Sequence, residues 1–309
     1  MSHRLIVLGW HNVEGTWAFP SPAGAGVKGL ERQLLYLKRI ANVVPLEDAL
    51  RTLHAGQGVA PRAVSLTFDD GYRDNLELAV PLLERFDLPA TFFLVPGLLS
   101  DDVEPWWEIQ AWAFARATRG SITWEENTLP LDTDKLRRSS SDLVAENLKR
   151  RDRTTREQAI SDLVSLLAPD GWPQERAKFL DWPGAQEIVG KGFAVGSHTL
   201  HHPILSEESS EQAQRELTES RAVLENKLGA DVMVLAYPNG TELDYNASTV
   251  AAAAAAGYTH AVTMRPGWNG PSTPPFEIRR FYMTPEKGVK GLGAVPRHLL
   301  DGLLRKAVP

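Results

Sequence analysis

The chain reads as an α/β protein whose mostly parallel sheet is covered by helices. Short runs rich in β-branched and aromatic residues alternate with longer stretches of helical period. The polar motifs that stand out, at 67–72 and 197–203, each follow an apolar strand directly, as functional loops do in parallel α/β sheets. At 309 residues, 43% hydrophobic and 23% charged, the chain is long and apolar enough for a large core. This alternation fits either a barrel or an open doubly wound sheet. No GxGxxG follows the first strand, where Gly9, Trp10 and His11 stand instead, so dinucleotide binding is not expected.

The predicted strands are 4–10, 63–68, 90–95, 193–197, 232–236 and 260–263. Between them fall predicted helices at 29–40, 46–54, 76–86, 183–190, 207–228 and 245–256. Ser206, Ser209 and Ser210 compete to cap the fifth of these, and Gly229 closes it. The alanine run 251–256 suits a helix packed close to a sheet. The region 97–182 reads as a helical insertion rather than a second domain, so 1–309 is a single unit. It holds Trp106, Trp107, Trp112, Trp124, Trp172 and Trp182. Its charge-dense part, 132–157, reads as a solvated helical face or a partly mobile stretch.

Charge and composition narrow the chemistry. With 33 basic and 39 acidic residues the net charge is −6, which lacks the field of a nucleic-acid binder. There are no cysteines, so any metal must be held by His, Asp or Glu. No run approaches the ~20 apolar residues of a membrane span, and 1–13 lacks the pattern of an export signal. A cytoplasmic protein is expected. Oligomeric state is not legible.

At Thr67-Phe68-Asp69-Asp70-Gly71-Tyr72 an apolar strand runs into two adjacent carboxylates. Two such acids can diverge, one binding a cation while the other handles protons; the competing reading is a helix cap and a turn. At Ser197-His198-Thr199-Leu200-His201-His202-Pro203, three of the chain's eight histidines fall together. Histidines three or four apart can converge on one ion, and spacing leaves His201 and His202 as rival partners of His198. Two His and one Asp leave open positions on a cation, as catalysis requires.

TFDDG followed by HTxxHP resembles the polysaccharide deacetylase superfamily (carbohydrate esterase family 4, the NodB-homology proteins). The resemblance implies a deformed (β/α) barrel of about seven parallel strands. It implies Asp69 as general base, and Asp70, His198 and His202 as ligands of a divalent ion, usually zinc, with cobalt, nickel or manganese as alternatives. Ala236-Tyr237-Pro238-Asn239-Gly240 is similar to the segment of the exopolysaccharide deacetylase subgroup. There the Tyr237 backbone N–H is the implied oxyanion donor. Ala236 stands where an arginine is common, and Arg280 matches a late arginine that could orient the catalytic acid in its place; the competing reading is a surface ion pair. Leu5–His11 has the character of the family's C-terminal strand, as in a circular permutation, which makes His11 the implied general acid. Asn12 replaces the aspartate expected beside it.

The implied reaction removes N-acetyl groups from an amino sugar or glycan. An O-acetyl esterase or small-amide hydrolase of the same fold, and a catalytically silent sugar-binding protein, are the alternatives. Trp106 and Trp107 are candidates for a sugar-stacking surface.

Overall fold

The first strand, β1 (Leu5–Trp10), is buried along its whole length, as a strand covered on both faces must be. The computed structural model describes residues 3–21, 25–171 and 178–285, together with short strands at 291–292 and 295–296. After β1 come α1 (Gly26–Ile40), β2 (Asn42–Val43), α2 (Leu46–His54), β3 (Ala63–Phe68), α3 (Val80–Phe86), β4 (Thr91–Leu94) and α4 (Pro96–Leu99). The insertion carries α5 (Trp106–Ala115), β5 (Ser121–Trp124), β6 (Asn127–Pro130), α6 (Asp134–Leu148) and α7 (Arg153–Leu167). The barrel resumes with α8 (Trp182–Gly190), β7 (Ala194–Ser197), α9 (Ser210–Leu228), β8 (Val234–Ala236), α10 (Ala247–Ala255), β9 (His260–Val262) and β10 (Phe281–Tyr282). A two-stranded antiparallel pair, β11 (Gly291–Leu292) and β12 (Val295–Pro296), follows.

The main sheet runs β10-β1-β3-β4-β7-β8-β9, and each of these pairings is parallel. It closes on itself through one segment. Ile278 bridges Val262 in parallel, and three residues later Phe281 pairs with Leu8 of β1. The expected deformed barrel of seven parallel strands is the observed one. Its irregularity lies between β3 and β4, which pair only at Thr67↔Thr91 and Phe68↔Phe92. The preceding residues of β3 pair instead with β2, at Asn42↔Ala63 and Val43↔Val64.

Period-two alternation decides which residues face where. Ile6, Leu8, Trp10, Val64, Leu66 and Phe68 point outward into the large cluster under the helices. Leu5, Val7, Ala63, Phe93, Val234, Ala236, Val262 and Ile278 point inward and meet Leu46, Leu50 and Leu53 of α2, which plugs one end. The insertion has its own apolar cluster, tied to the barrel through Tyr72 and Val95.

Departures from the predicted elements have local causes. The helix expected at 76–86 opens as a π segment, Asn75–Ala79, just before Pro81, whose missing N–H cannot continue an α ladder. Ser209 is the cap of α9, its hydroxyl accepting from Gln212 N–H at 3.2 Å, and Gly229 ends the helix at φ +62°. The insertion is not wholly helical, because β5 and β6 form an antiparallel hairpin. The stretch 132–157 forms α6 and the start of α7. Trp172 lies outside the described residues. Among the described residues no helix is long and apolar enough to cross a membrane.

Candidate active site

The carboxyl end of β3 delivers two adjacent acids to different partners. The Asp69 N–H donates to Trp10 O at 2.8 Å, continuing the β1–β3 ladder. Its carboxylate accepts from both ends of the Arg280 guanidinium, each at 2.7 Å. Arg280 is fully buried and also donates to Thr263 O (3.0 Å) and Thr67 Oγ1 (3.1 Å). Gly9 makes room for it: a Cβ there would stand 3.3 Å from the guanidinium. Of the two readings of Arg280, the surface ion pair is therefore wrong. Burial works to raise the Asp69 carboxyl, but the Arg280 charge, then His198, then the Arg280 hydrogen bonds and His11, outweigh it and hold it below the usual range.

Asp70 turns the other way because its backbone is left-handed, at φ +71°. Its Oδ1 lies 3.2 Å from His198 Nε2 and 3.5 Å from His202 Nε2. Thr199 (φ +66°) and His202 (φ +57°) are left-handed as well, so three non-glycine residues in a sparsely populated region shape this one corner. The spacing ambiguity between His201 and His202 is resolved by Glu216. That buried carboxylate holds His201 Nδ1 at 2.6 Å and the His201 N–H at 2.9 Å, which draws His201 towards α9. His202 turns inward, its ring 4.8 Å from that of His198.

These three residues fit a cation on the chemistry of their donors. His198 Nδ1 lies 2.8 Å from Ala236 O, which can only accept, so this nitrogen carries the ring proton. Nε2 is thereby left as the ligating nitrogen, and once it gives up any proton it turns a lone pair towards a carboxylate oxygen that is buried without a hydrogen-bond donor. Acceptors facing one another in a dry site call for a positive charge between them. The three ligand atoms lie within 4.8 Å of one another. Burial works to raise the Asp70 carboxyl, and the neighbouring imidazoles of His11, His198 and His202 override it, holding it well below the usual range. Burial lowers His202; for His198 the two aspartates override burial and raise it.

A cavity of about 450 Å³ opens over this cluster, lined among others by His11, Asp69, Asp70, His198, His202 and Tyr237. Thus all seven sequence-predicted residues gather at one end of the barrel, Arg280 beneath Asp69 and the rest on the cavity wall. His11 lies between the rings of Phe19 (5.1 Å) and Tyr282 (5.2 Å), and its Nδ1 is buried without a partner. Asn12 does not orient it, because its amide donates to Phe19 O at 3.2 Å. The expectation for Tyr237 needs revision. Its N–H donates to Val262 O at 3.1 Å within the β8–β9 ladder, so this group already has an acceptor. Its ring stacks on Tyr245 at 4.7 Å.

Trp106 and Trp107 both line this cavity, where a sugar could meet them, although each is only 7% or 8% exposed overall. Trp107 packs against His202 at 4.4 Å and donates to Tyr72 OH at 2.8 Å. The opposite wall went unread in the sequence: Arg138, Ser141, Asp142, Ala145, Glu146 and Lys149 of α6 and its C-cap line the cavity. Their three- and four-residue spacing marks one helix face, a signal masked by the density of charge around it.

Comparisons with known proteins agree with this geometry. The chain is 21% identical over 233 residues to the Bacillus subtilis (strain 168) protein YxkH, covering 75% of this chain and 56% of that one. It is 31% identical over 88 residues to the poly-beta-1,6-N-acetyl-D-glucosamine N-deacetylase of Escherichia coli (strain K12), covering 28% of this chain and 13% of that one. The chain therefore spans little more than half the length of one curated relative and a small part of the other. Among solved structures, the Streptococcus pyogenes deacetylase PplD in complex with acetate matches at TM-score 0.63 and 19% identity, over 100% of both chains. IcaB from Ammonifex degensii matches at TM-score 0.57 and 19% identity, over 92% of this chain and 94% of that one. A family model, polysaccharide deacetylase, matches residues 56–261, a span that contains Asp69, Asp70, His198, His202 and Tyr237. On the barrel, the carboxylate–imidazole cluster at its end and this match, the chain belongs to the polysaccharide deacetylase family.

Proposed function

We propose that this chain hydrolyses the N-acetyl group of an amino-sugar residue within a glycan, using a divalent cation held by Asp70, His198 and His202. The observation that carries the reading is the divergence of two adjacent acids: Asp70 faces two imidazole nitrogens, while Asp69 is gripped by Arg280. Two imidazoles and one carboxylate form a donor set suited to zinc. When bound, such an ion polarises an acyl oxygen and lowers the pKa of water.

The remaining work falls to the side chains. Asp69 keeps its charge at neutral pH and takes a proton from the attacking water, while Arg280 keeps the carboxylate aimed. His11, seated between Phe19 and Tyr282, gives a proton to the sugar nitrogen as the C–N bond breaks. Water supplies the new C–O bond, the acetyl group leaves as acetate, and the sugar keeps a free amine. Tyr237 contributes its ring to the wall, its N–H being engaged by Val262. The name of the Escherichia coli relative, a poly-beta-1,6-N-acetyl-D-glucosamine N-deacetylase, supports an acetylated glycan as substrate.

The test pairs metal content with acetate release. Zinc-loaded protein should release acetate from a β-linked N-acetylglucosamine oligomer and leave an O-acetylated counterpart largely untouched. Asp69→Asn should bind zinc in the same ratio and lose about 10²–10⁴ in kcat. Protein that takes up no zinc, or an Asp69→Asn variant at full turnover, overturns the reading; release of O-acetyl groups alone replaces it with an esterase.

A further inference from the structure

The His11 ring has little to aim it directly. It meets Phe19 and Tyr282 by aromatic contact alone, its Nδ1 is buried without a partner, and the Asn12 amide beside it is turned to Phe19 O. Its main chain is held instead. Asn75, wholly buried, donates from its side-chain amide to His11 O at 2.7 Å. One residue earlier, Asp74 Oδ2 accepts the N–H groups of Val13 and Glu14, each at 2.8 Å. The two side chains are themselves joined, Asn75 Nδ2 to Asp74 Oδ1 at 3.2 Å.

A merely local role would look different. An aspartate at the head of a helix ordinarily accepts from the N–H groups of its own first turn. Asp74 heads the π segment Asn75–Ala79 and makes no such bond. Its carboxylate reaches instead to residues 61 and 60 positions earlier in the chain. Burial pushes that carboxyl up to about 6, more than the two N–H groups lower it, so the charged acceptor is kept there at a cost. Asn75 Oδ1 is buried with no donor, so the side chain works through its N–H groups alone, and these go to His11 and Asp74. Both residues follow the Asp69–Asp70 pair in one bent segment, with Gly71 at φ +75° and the Asn75 N–H bonded to Tyr72 O at 3.0 Å. The Asp69 N–H meets Trp10 O at 2.8 Å, so the same segment grips the chain on both sides of His11.

We infer that Asp74 and Asn75 are positioning residues for His11: they fix the main chain that carries the imidazole, and with it the placement of the proton donor relative to Asp69 and Asp70. The inference rests on the proposed role of His11 as general acid and deepens it. Neither side chain touches the substrate; both act through the backbone at the end of β1. A proton donor displaced by about 1 Å from the leaving nitrogen can cost about 10² in rate, which is the scale on which such a grip acts. Base, metal ligand and the anchor of the acid are thus all carried by residues 69–75, so one short segment sets the distances among the three groups.

The experiment is a double-mutant cycle on acetate release from a β-linked N-acetylglucosamine oligomer by zinc-loaded protein, with zinc content measured for each variant. Asp74→Ala should lower kcat by about 10- to 100-fold while zinc content stays at the parent ratio and KM within about twofold. Asp74→Asn, which keeps one acceptor oxygen, should recover part of the loss. In a His11→Ala background, where there is no imidazole left to place, Asp74→Ala should change kcat by no more than about twofold. Asn75→Ala should follow the same pattern, and with Asp74→Asn it carries the test if Asp74→Ala does not fold. A folded Asp74→Ala at the parent kcat, or one that costs as much without His11 as with it, overturns the positioning role alone. A His11→Ala variant at full turnover overturns the general acid, and the positioning role with it.

Discussion

Arg280 reaches Asp69 from 211 positions along the chain and donates to both of its carboxylate oxygens at 2.7 Å, inside the closed barrel and away from water. Neither charge could be left there alone. Arg280 is placed by the segment that closes the barrel, because Ile278 pairs with β9 and Phe281 with β1 on either side of it. Closure of the sheet and delivery of the cation are thus one event.

Arg280→Met is expected to destabilise the fold by about 3–5 kcal/mol at pH 7, measured by urea denaturation, because it strands a buried carboxylate. The sign with pH follows. Asp69 titrates lower in the folded state, so the pair stabilises above the unfolded carboxyl's pKa of about 4 and the gain fades as pH falls through the lowered value. Without Arg280 the Asp69 pKa rises, and the acid limb of the acetate-release profile should move to higher pH. An unmoved acid limb would show that Asp69 does not set it.

His201 and His202 should separate cleanly. His202→Ala is expected to lose zinc, read by elemental analysis. His201→Ala should keep it and instead lose about 1–3 kcal/mol of stability, because it leaves the buried Glu216 short of a partner.

Zinc affinity should fall with acid. A ligating imidazole must give up its proton, and in the metal-free site the two aspartates raise His198 despite its burial. Protons therefore compete from a higher pH than at an ordinary histidine, and the zinc dissociation constant should rise about tenfold per pH unit below that point for one competing proton. Loaded protein should be more stable than chelated protein by about 2.7 kcal/mol when free zinc is one hundred times the dissociation constant.

Gly196→Ala tests the packed barrel interior. A Cβ there would clash with the buried Phe93 ring and stand 2.8 Å from Val234 O, neither of which can retreat. Thermal or urea unfolding should show a loss of about 1–3 kcal/mol or more.

The six predicted strands lie where their apolar runs stand, with ends shifted by up to two residues. Continuous burial on both faces writes the strand directly into composition. β10 and the 278–282 closure carried no such mark, since two residues of strand have no period to read. The hairpin of β5 and β6 was missed within a stretch read as helical, and α6 was read as a solvated face although it walls the cavity. Asp69, Asp70, His198 and His202 were legible because each group follows a strand and resembles a family pattern. The choice between His201 and His202 had rested on that resemblance, and Glu216 supplies its physical reason.

Local chemistry along the chain therefore determined the strands, most of the helices, the absence of thiolate ligands and the identity of the polar groups at strand ends. These are properties of neighbouring residues, which share a backbone and a short-range period. What Arg280 does, which histidine turns inward, that the Tyr237 N–H is already bonded and that α6 walls the cavity were decided only in three dimensions. Each depends on a partner brought from a distant part of the chain by the closing of the barrel, and no local pattern encodes a contact whose two halves meet only once the core has formed.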